Sequence, residues 1–220
     1  MMLTDKVFSD RLEAGRLLAA ALMRLELSQP LILALPRGGV PVAAMVAKAL
    51  QAPLELLIVR KIGAPGHAEL AVGAVAEGDS ATVIDPETAH LSGATAPYIE
   101  REARVQREEL DRRRRLYRAG RPALSVAGRT VVVVDDGIAT GTTMRAALQA
   151  LRLLKPAKLV LAVPVAAAQS LAGLRPLVDT VVCLSEPSFF GSVGAHYEQF
   201  PQLSDEEVLA WLRSNREGRT

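Results

Sequence analysis

Two adjacent carboxylates, Asp135 and Asp136, follow four consecutive valines, Val131 to Val134, and precede Gly137, Ile138, Ala139, Thr140, Gly141, Thr142 and Thr143. An unbroken β-branched run suits a parallel strand buried on both faces. The two acids therefore leave its tip, where neighbouring side chains point to different sides. Carboxylates so placed can accept hydrogen bonds from vicinal hydroxyls, and ribose offers such a pair at its 2 and 3 positions. The turn that follows is built from small residues, two glycines and three hydroxyls, immediately before a helical pattern. Backbone N–H groups and the helix dipole at that point favour a phosphate monoester. One segment can thus read a pentose's hydroxyls and its terminal phosphate. The bland alternative, a plain polar turn, leaves two like charges side by side at a buried strand end unless a ligand relieves them.

Two other phosphate-binding readings fail on residue type. No Lys follows Gly141, as a P-loop requires, and no Gly-x-Gly-x-x-Gly is present for a dinucleotide. A second glycine-bearing loop, Pro36, Arg37, Gly38 and Gly39, follows the apolar run Leu31 to Leu35. Its glycines allow close backbone approach to a ligand, and Arg37 adds a fixed positive charge.

The elements that must position these loops alternate along the chain. Asp10 to Leu27 carries Leu12, Leu17, Leu18, Ala21, Leu22 and Leu25 at helical spacing, with Asp10 and Glu13 placed as a cap and its partner. Leu31 to Leu35 reads as a strand and Val42 to Leu50 as the helix after it. Leu54 to Val59 reads as a second buried strand, closed by Arg60 and Lys61, with Gly63 to His67 as a loop beyond. Short strands are expected near Val72 to Ala76 and Ala81 to Ile84, then a charged helix from Pro97 to Arg118. After the valine strand, a helix from Met144 to Leu154 leads to strands Leu159 to Pro164 and Thr180 to Leu184, separated by a helix from Ala167 to Leu174. Ser204 and Glu207 form a capping box for a last helix through Leu212. This alternation implies an α/β fold with parallel strands, right-handed crossovers and a binding crevice at the carboxyl ends of the strands.

Composition sets the outer bounds. The chain has 220 residues, half of them hydrophobic, which can bury one sizeable core, so a single domain over 1–220 is expected. The formal charge of +2 hides an arginine cluster between Arg101 and Arg121. Glu100, Glu102, Glu108, Glu109 and Asp111 interleave with it, so a salt-bridged, solvated helix face is expected and a nucleic-acid contact is disfavoured. Cys183 is the only cysteine, which excludes an intrachain disulfide and a four-ligand cysteine metal site. The start of the chain lacks the order of a signal peptide, and Leu159 to Ala168 is about half the roughly 20 residues that span a bilayer. A cytoplasmic location without membrane contact is expected.

Val132 to Thr143 resembles the phosphoribosyl pyrophosphate signature of the type I phosphoribosyltransferases. The resemblance implies a Rossmann-like parallel-sheet core over about 30–184, a charged helical insertion over about 79–125, and a small hood from about 1–28 and 185–220. It also implies a magnesium-dependent transferase of 5-phosphoribosyl 1-pyrophosphate, acting in nucleotide salvage and expected as a homodimer. Asp135 and Asp136 would hold the ribose hydroxyls, with Gly137 and Ile138 leading into Ala139 to Thr143 around the 5-phosphate. Pro36 to Gly39 resembles the family's pyrophosphate loop, in which the peptide before the basic residue is commonly cis. Arg60 and Lys61 would neutralise the departing diphosphate and its magnesium, Lys61 as a catalytic cation. The loop from Gly66 and His67 to Gly73 is similar in placement to a mobile catalytic loop, although its residues match poorly; His67 reads either as a contact to the leaving group or, in preference, as a solvent-exposed loop histidine.

The acceptor is left open. Pro187 to Tyr197 is the hood candidate, and Phe189 or Phe190 could stack on a flat base or serve only as packing residues. The expected acceptor is a base or an amine, with a nucleobase favoured. Two rivals stand beside a base-using enzyme: a regulatory module that binds the sugar diphosphate without turnover, and a transferase to a non-base acceptor.

Overall fold

The computed structural model describes residues 7–76, 82–118 and 124–217. In chain order the elements are α1 (Arg11–Met23), β1 (Leu31–Ala34), α2 (Gly39–Ala49), β2 (Leu54–Leu56), β3 (Val59–Ala64), β4 (His67–Ala76), β5 (Thr82–Ile84), α3 (Pro86–Leu91), α4 (Ala96–Arg118), β6 (Thr130–Val134), α5 (Thr142–Leu153), β7 (Lys158–Val165), α6 (Ala168–Leu174), β8 (Thr180–Ser185) and α7 (Asp205–Glu217), with short 3-10 turns at Arg175–Leu177 and Val193–His196. They divide into two compact units, one comprising 1–56, 125–141 and 156–220, the other 57–124 and 142–155.

The first unit is a five-stranded parallel sheet in the order β2-β1-β6-β7-β8. β1 and β6 are adjacent central strands with Ala34 opposite Val134, and every residue of β1 and Val131 to Val134 of β6 are buried. That is the environment an unalternating aliphatic run selects. α1 packs on α2, and α2 also meets α7. The expected caps are present: Asp10 Oδ1 accepts from Glu13 N at 2.7 Å, and Ser204 and Glu207 bond each other's backbone at 3.2 and 2.7 Å. The segment before α1 also pairs with the segment before α7. Phe8 N donates to the His196 carbonyl at 2.9 Å, and Glu198 N donates to the Phe8 carbonyl at 2.8 Å.

The α1 face differs from the sequence expectation. Its buried residues are Arg11, Ala14, Gly15, Leu18, Ala19 and Leu22, so Leu12, Leu17 and Ala21 lie off the deepest line. Gly15 explains the rotation: a Cβ there would sit 2.8 Å from Met45 Cβ and from the Val42 carbonyl, so small residues let α1 approach α2 closely.

The second unit is an antiparallel sheet in the order β3-β4-β5, packed with α3, α4 and α5. Here the single strand expected over Leu54 to Val59 is corrected. β2 ends at Leu56, and a separate strand starts at Val59 and runs through Arg60 and Lys61 to Ala64. The loop expected over Gly63 to His67 shrinks to Pro65 and Gly66, the latter at φ 72°, in a hairpin joining β3 to the ten-residue β4. A continuous aliphatic run hid a change of sheet, and the strand pairing used the glycines at irregular positions of the ladder, where the register shifts beside Gly63. Ala81 lies outside the described residues; Thr82–Ile84 is the strand expected there.

Candidate functional site

The loops after β1 and β6 leave neighbouring parallel strands at the same sheet edge, tied by Leu35 N donating to the Val134 carbonyl at 3.0 Å. Two glycines permit their contact. A Cβ on Gly39 would stand 2.8 Å from the Val134 carbonyl and 2.9 Å from Asp135 Cα, and a Cβ on Gly38 would overlap the Asp136 carboxylate. The Pro36–Arg37 peptide is cis, as the resemblance implied. Arg37 is exposed at this turn, and α2 starts two residues later at Gly39.

The two acids have different surroundings. Asp136 is 9% exposed, and its Oδ2 accepts from Arg11 Nε at 2.8 Å. Its backbone carbonyl accepts from the buried Tyr197 hydroxyl at 2.5 Å. Asp135 is half-buried, and its Oδ1 accepts from the Asp136 backbone N–H at 2.9 Å. Burial raises the pKa of Asp135 well above the ordinary value, and the neighbouring charge of Asp136 adds to that. Burial raises Asp136 too, opposed by the hydrogen bond and charge of Arg11. The repulsion that the sequence alone left for a ligand to relieve is met in part by an internal cation. Tyr197 is likewise pushed up, by burial first and then by the Asp136 charge.

Beyond the acids, Gly137 and Ile138 are buried while Ala139 and Thr140 are exposed. Ile138 N donates to the Val165 carbonyl at 3.0 Å and Ala167 N to the Ile138 carbonyl at 2.9 Å, so the turn is stitched to the end of β7. Ser170 Oγ donates to the Ala139 carbonyl at 2.5 Å. Gly141 takes φ 74°, a conformation that suits glycine. Pro36 to Gly39 and Asp135 to Gly141 therefore come together in the first unit.

Thr142 and Thr143 open α5, and Arg60 and Lys61 lie within β3, all in the second unit. Arg60 Nε donates to Gln106 Oε1 of α4 at 3.1 Å, and burial, with Arg113 nearby, lowers its pKa. His67 is exposed. The two phenylalanines part: Phe189 is 82% exposed, whereas Phe190 packs with the Phe8 and Tyr197 cluster and lies 5.1 Å from the His196 ring. The arginine-rich α4 carries the expected pairs, Arg112 and Arg113 on Glu109 at 2.7 and 2.9 Å and Arg114 by Asp111 at 3.8 Å.

Arg11 escaped the sequence reading. The available signal was its register, three and four positions before Ala14 and Gly15 and seven before Leu18, which puts a charge on the buried face of α1. Buried arginines of this kind are paired.

Among the described residues no group of three or more His, Cys, Asp or Glu side chains is arranged to cage a metal, and no helix is long and apolar enough to cross a membrane. The carboxylate at the strand tip that is not paired with Arg11 is that of Asp135, half-buried.

The family model of the phosphoribosyl transferase domain matches residues 10–199. A Mycobacterium tuberculosis protein (strain ATCC 25618 / H37Rv), "Putative phosphoribosyl transferase Rv0571c", is 45% identical over 216 residues, covering 96% of this chain and 48% of its own length. The chain thus spans about half the length of the curated relatives it matches. The crystal structure of TT1426 from Thermus thermophilus is 46% identical, with TM-score 0.88, over 94% of this chain and 98% of that one. A Neisseria gonorrhoeae protein solved with bound ppGpp is 14% identical with TM-score 0.52, over 96% and 97% of the two chains, a likeness of fold alone.

Proposed function

Since the chain belongs to the phosphoribosyl transferase domain family, we propose that it binds 5-phosphoribosyl 1-pyrophosphate and moves the phosphoribosyl group onto a nitrogenous acceptor, a nucleobase being favoured. The observation that carries this reading is the meeting of Gly38 and Gly39 with Asp135 and Asp136 at the tips of adjacent strands. Asp135, the more accessible acid, accepts the ribose hydroxyls. The Ala139 to Gly141 turn receives the 5-phosphate, and Arg37 with the Gly38 and Gly39 backbone faces the diphosphate. Arg60 and Lys61 lie in the other unit.

In the reaction the C1–O bond to diphosphate breaks and the diphosphate leaves with the electron pair. The acceptor nitrogen's lone pair forms the new C1–N bond, and its proton passes to solvent. The sugar carbon is cationic in the transition state, so the chain contributes chiefly by orienting the sugar and placing anionic carboxylate density beside it. Magnesium, when bound with the sugar diphosphate, neutralises the leaving group. Within the family fold this needs no protein nucleophile.

Pyrophosphate release screened across nucleobases, amines and water tests the proposal. Release that depends on one nitrogenous acceptor supports it. Tight binding with no release under any acceptor converts the reading to a regulatory module.

A further inference from the structure

Arg11 is 8% exposed, and three separate groups hold its guanidinium. Nε donates to Asp136 Oδ2 at 2.8 Å, Nη1 donates to the Pro201 carbonyl at 2.8 Å, and the guanidinium carbon lies 3.7 Å from the centre of the Phe200 ring. Phe200 in turn stands 5.0 Å from Tyr197, whose hydroxyl bonds the Asp136 backbone. Asp136 is therefore gripped twice, at its carboxylate by α1 and at its carbonyl by the segment leading to α7. Its carboxylate also fills the space that a side chain at position 38 would need.

A buried ion pair is weak as a stabilising device, because desolvating both charges consumes most of the attraction, and apolar pairs of similar volume commonly do as well. Placing one such pair under two ligand-facing loops makes better sense as a means of orientation. We propose that Arg11 is a positioning residue of the sugar-diphosphate site: by holding the Asp136 carboxylate in place beside Gly38 it fixes the loop after β1 against the loop after β6. Arg11 itself touches no substrate. This inference rests on the phosphoribosyl reading above and adds a residue that the signature does not contain. Its geometry also couples the site to the Tyr197 to Pro201 segment, so the orientation of Asp136 depends on that segment as well as on α1.

The test is calorimetric titration of 5-phosphoribosyl 1-pyrophosphate with magnesium into wild type, Arg11→Met, Arg11→Lys and Leu18→Ala, each checked for folding by thermal melting. Leu18 lies on the same buried helix face, seven positions beyond Arg11. Loss of a buried, charged hydrogen bond that orients the site costs about tenfold or more, so Arg11→Met is expected to bind at least about tenfold more weakly while folded. Arg11→Lys, which keeps the charge but not the three-way grip, is expected between it and wild type. Leu18→Ala should melt earlier and bind as wild type does. In Arg11→Met/Asp136→Asn the two losses should fall short of additive. Wild-type affinity in folded Arg11→Met overturns the proposal. Should that variant not fold, wild-type affinity in Arg11→Lys overturns it, as does a loss in Leu18→Ala equal to that in the arginine variants. Wild-type protein that fails to bind sinks the phosphoribosyl reading itself, and the role of Arg11 with it.

Discussion

Arg11 Nε stands 2.8 Å from Asp136 Oδ2, both side chains are buried, and 125 positions separate them in the chain. The first turn of α1 is thereby fastened to the tip of β6. The acid pair is thus asymmetric, with Asp136 committed to the protein's interior and Asp135 left at the edge. That asymmetry sets what substitution and pH should do.

Tyr197→Phe removes the hydroxyl that bonds the Asp136 carbonyl while keeping the ring between Phe8 and Phe200. The carbonyl loses a buried partner, which costs about 1–3 kcal/mol. Denaturant unfolding should show that loss in midpoint with an unchanged slope. A midpoint equal to wild type would mean that the hydroxyl bond contributes nothing.

Gly38→Ala forces a methyl group into the Asp136 carboxylate. Overpacking of this kind costs about 1–3 kcal/mol, and Asp136 must swing off Arg11 to admit it. The expected outcome is a lower melting temperature together with weakened binding of the sugar diphosphate. Full affinity in a stable Gly38→Ala protein would show that the loop and the acid are not in contact.

The pH dependence has a definite sign. Burial raises Asp135 well above its ordinary 3.8, so the folded chain holds that proton more tightly than the unfolded one. Its contribution is fully present below 3.8 and is lost as pH rises through the folded value, so stability falls with pH across that window. Glu109 acts oppositely: hydrogen bonds from Arg112 and Arg113 lower it from 4.5 to about 2, and its contribution disappears as pH falls through that range. Subtracting the melting temperature of Asp135→Asn from that of wild type isolates the first effect. The difference should move against wild type as pH rises above the ordinary carboxylate range; movement in its favour would contradict the raised pKa of Asp135.

Much of this was legible in the residues. Val131 to Val134 announced a doubly buried strand, Asp135 to Gly141 announced the loop, although α5 begins at Thr142 and not at Met144, and Pro36 to Gly39 announced its neighbour and, through its resemblance to a pyrophosphate loop, the cis peptide. What stayed hidden depended on tertiary contacts. Leu54 to Val59 is one apolar run, yet β2 and β3 within it belong to different sheets, a division that hydrophobicity does not encode. Phe189 and Phe190 are chemically alike, and only packing makes one exposed and the other part of a cluster. The partner of Asp136 lay in α1, and an apolar stripe drawn through Leu12 and Leu17 passed it by.

The central claim, that Asp135 at the strand tip grips a pentose, is tested most directly by titrating 5-phosphoribosyl 1-pyrophosphate and magnesium into wild type and into Asp135→Asn in a calorimeter. Asn keeps the shape of the side chain and removes the charge, and hydrogen bonds to a charged partner contribute about 1.5–3 kcal/mol. The account predicts saturable binding by wild type and affinity lower by a factor of roughly 10 to 150 in the variant. Equal affinity in the two proteins, or no binding by wild type, would contradict it.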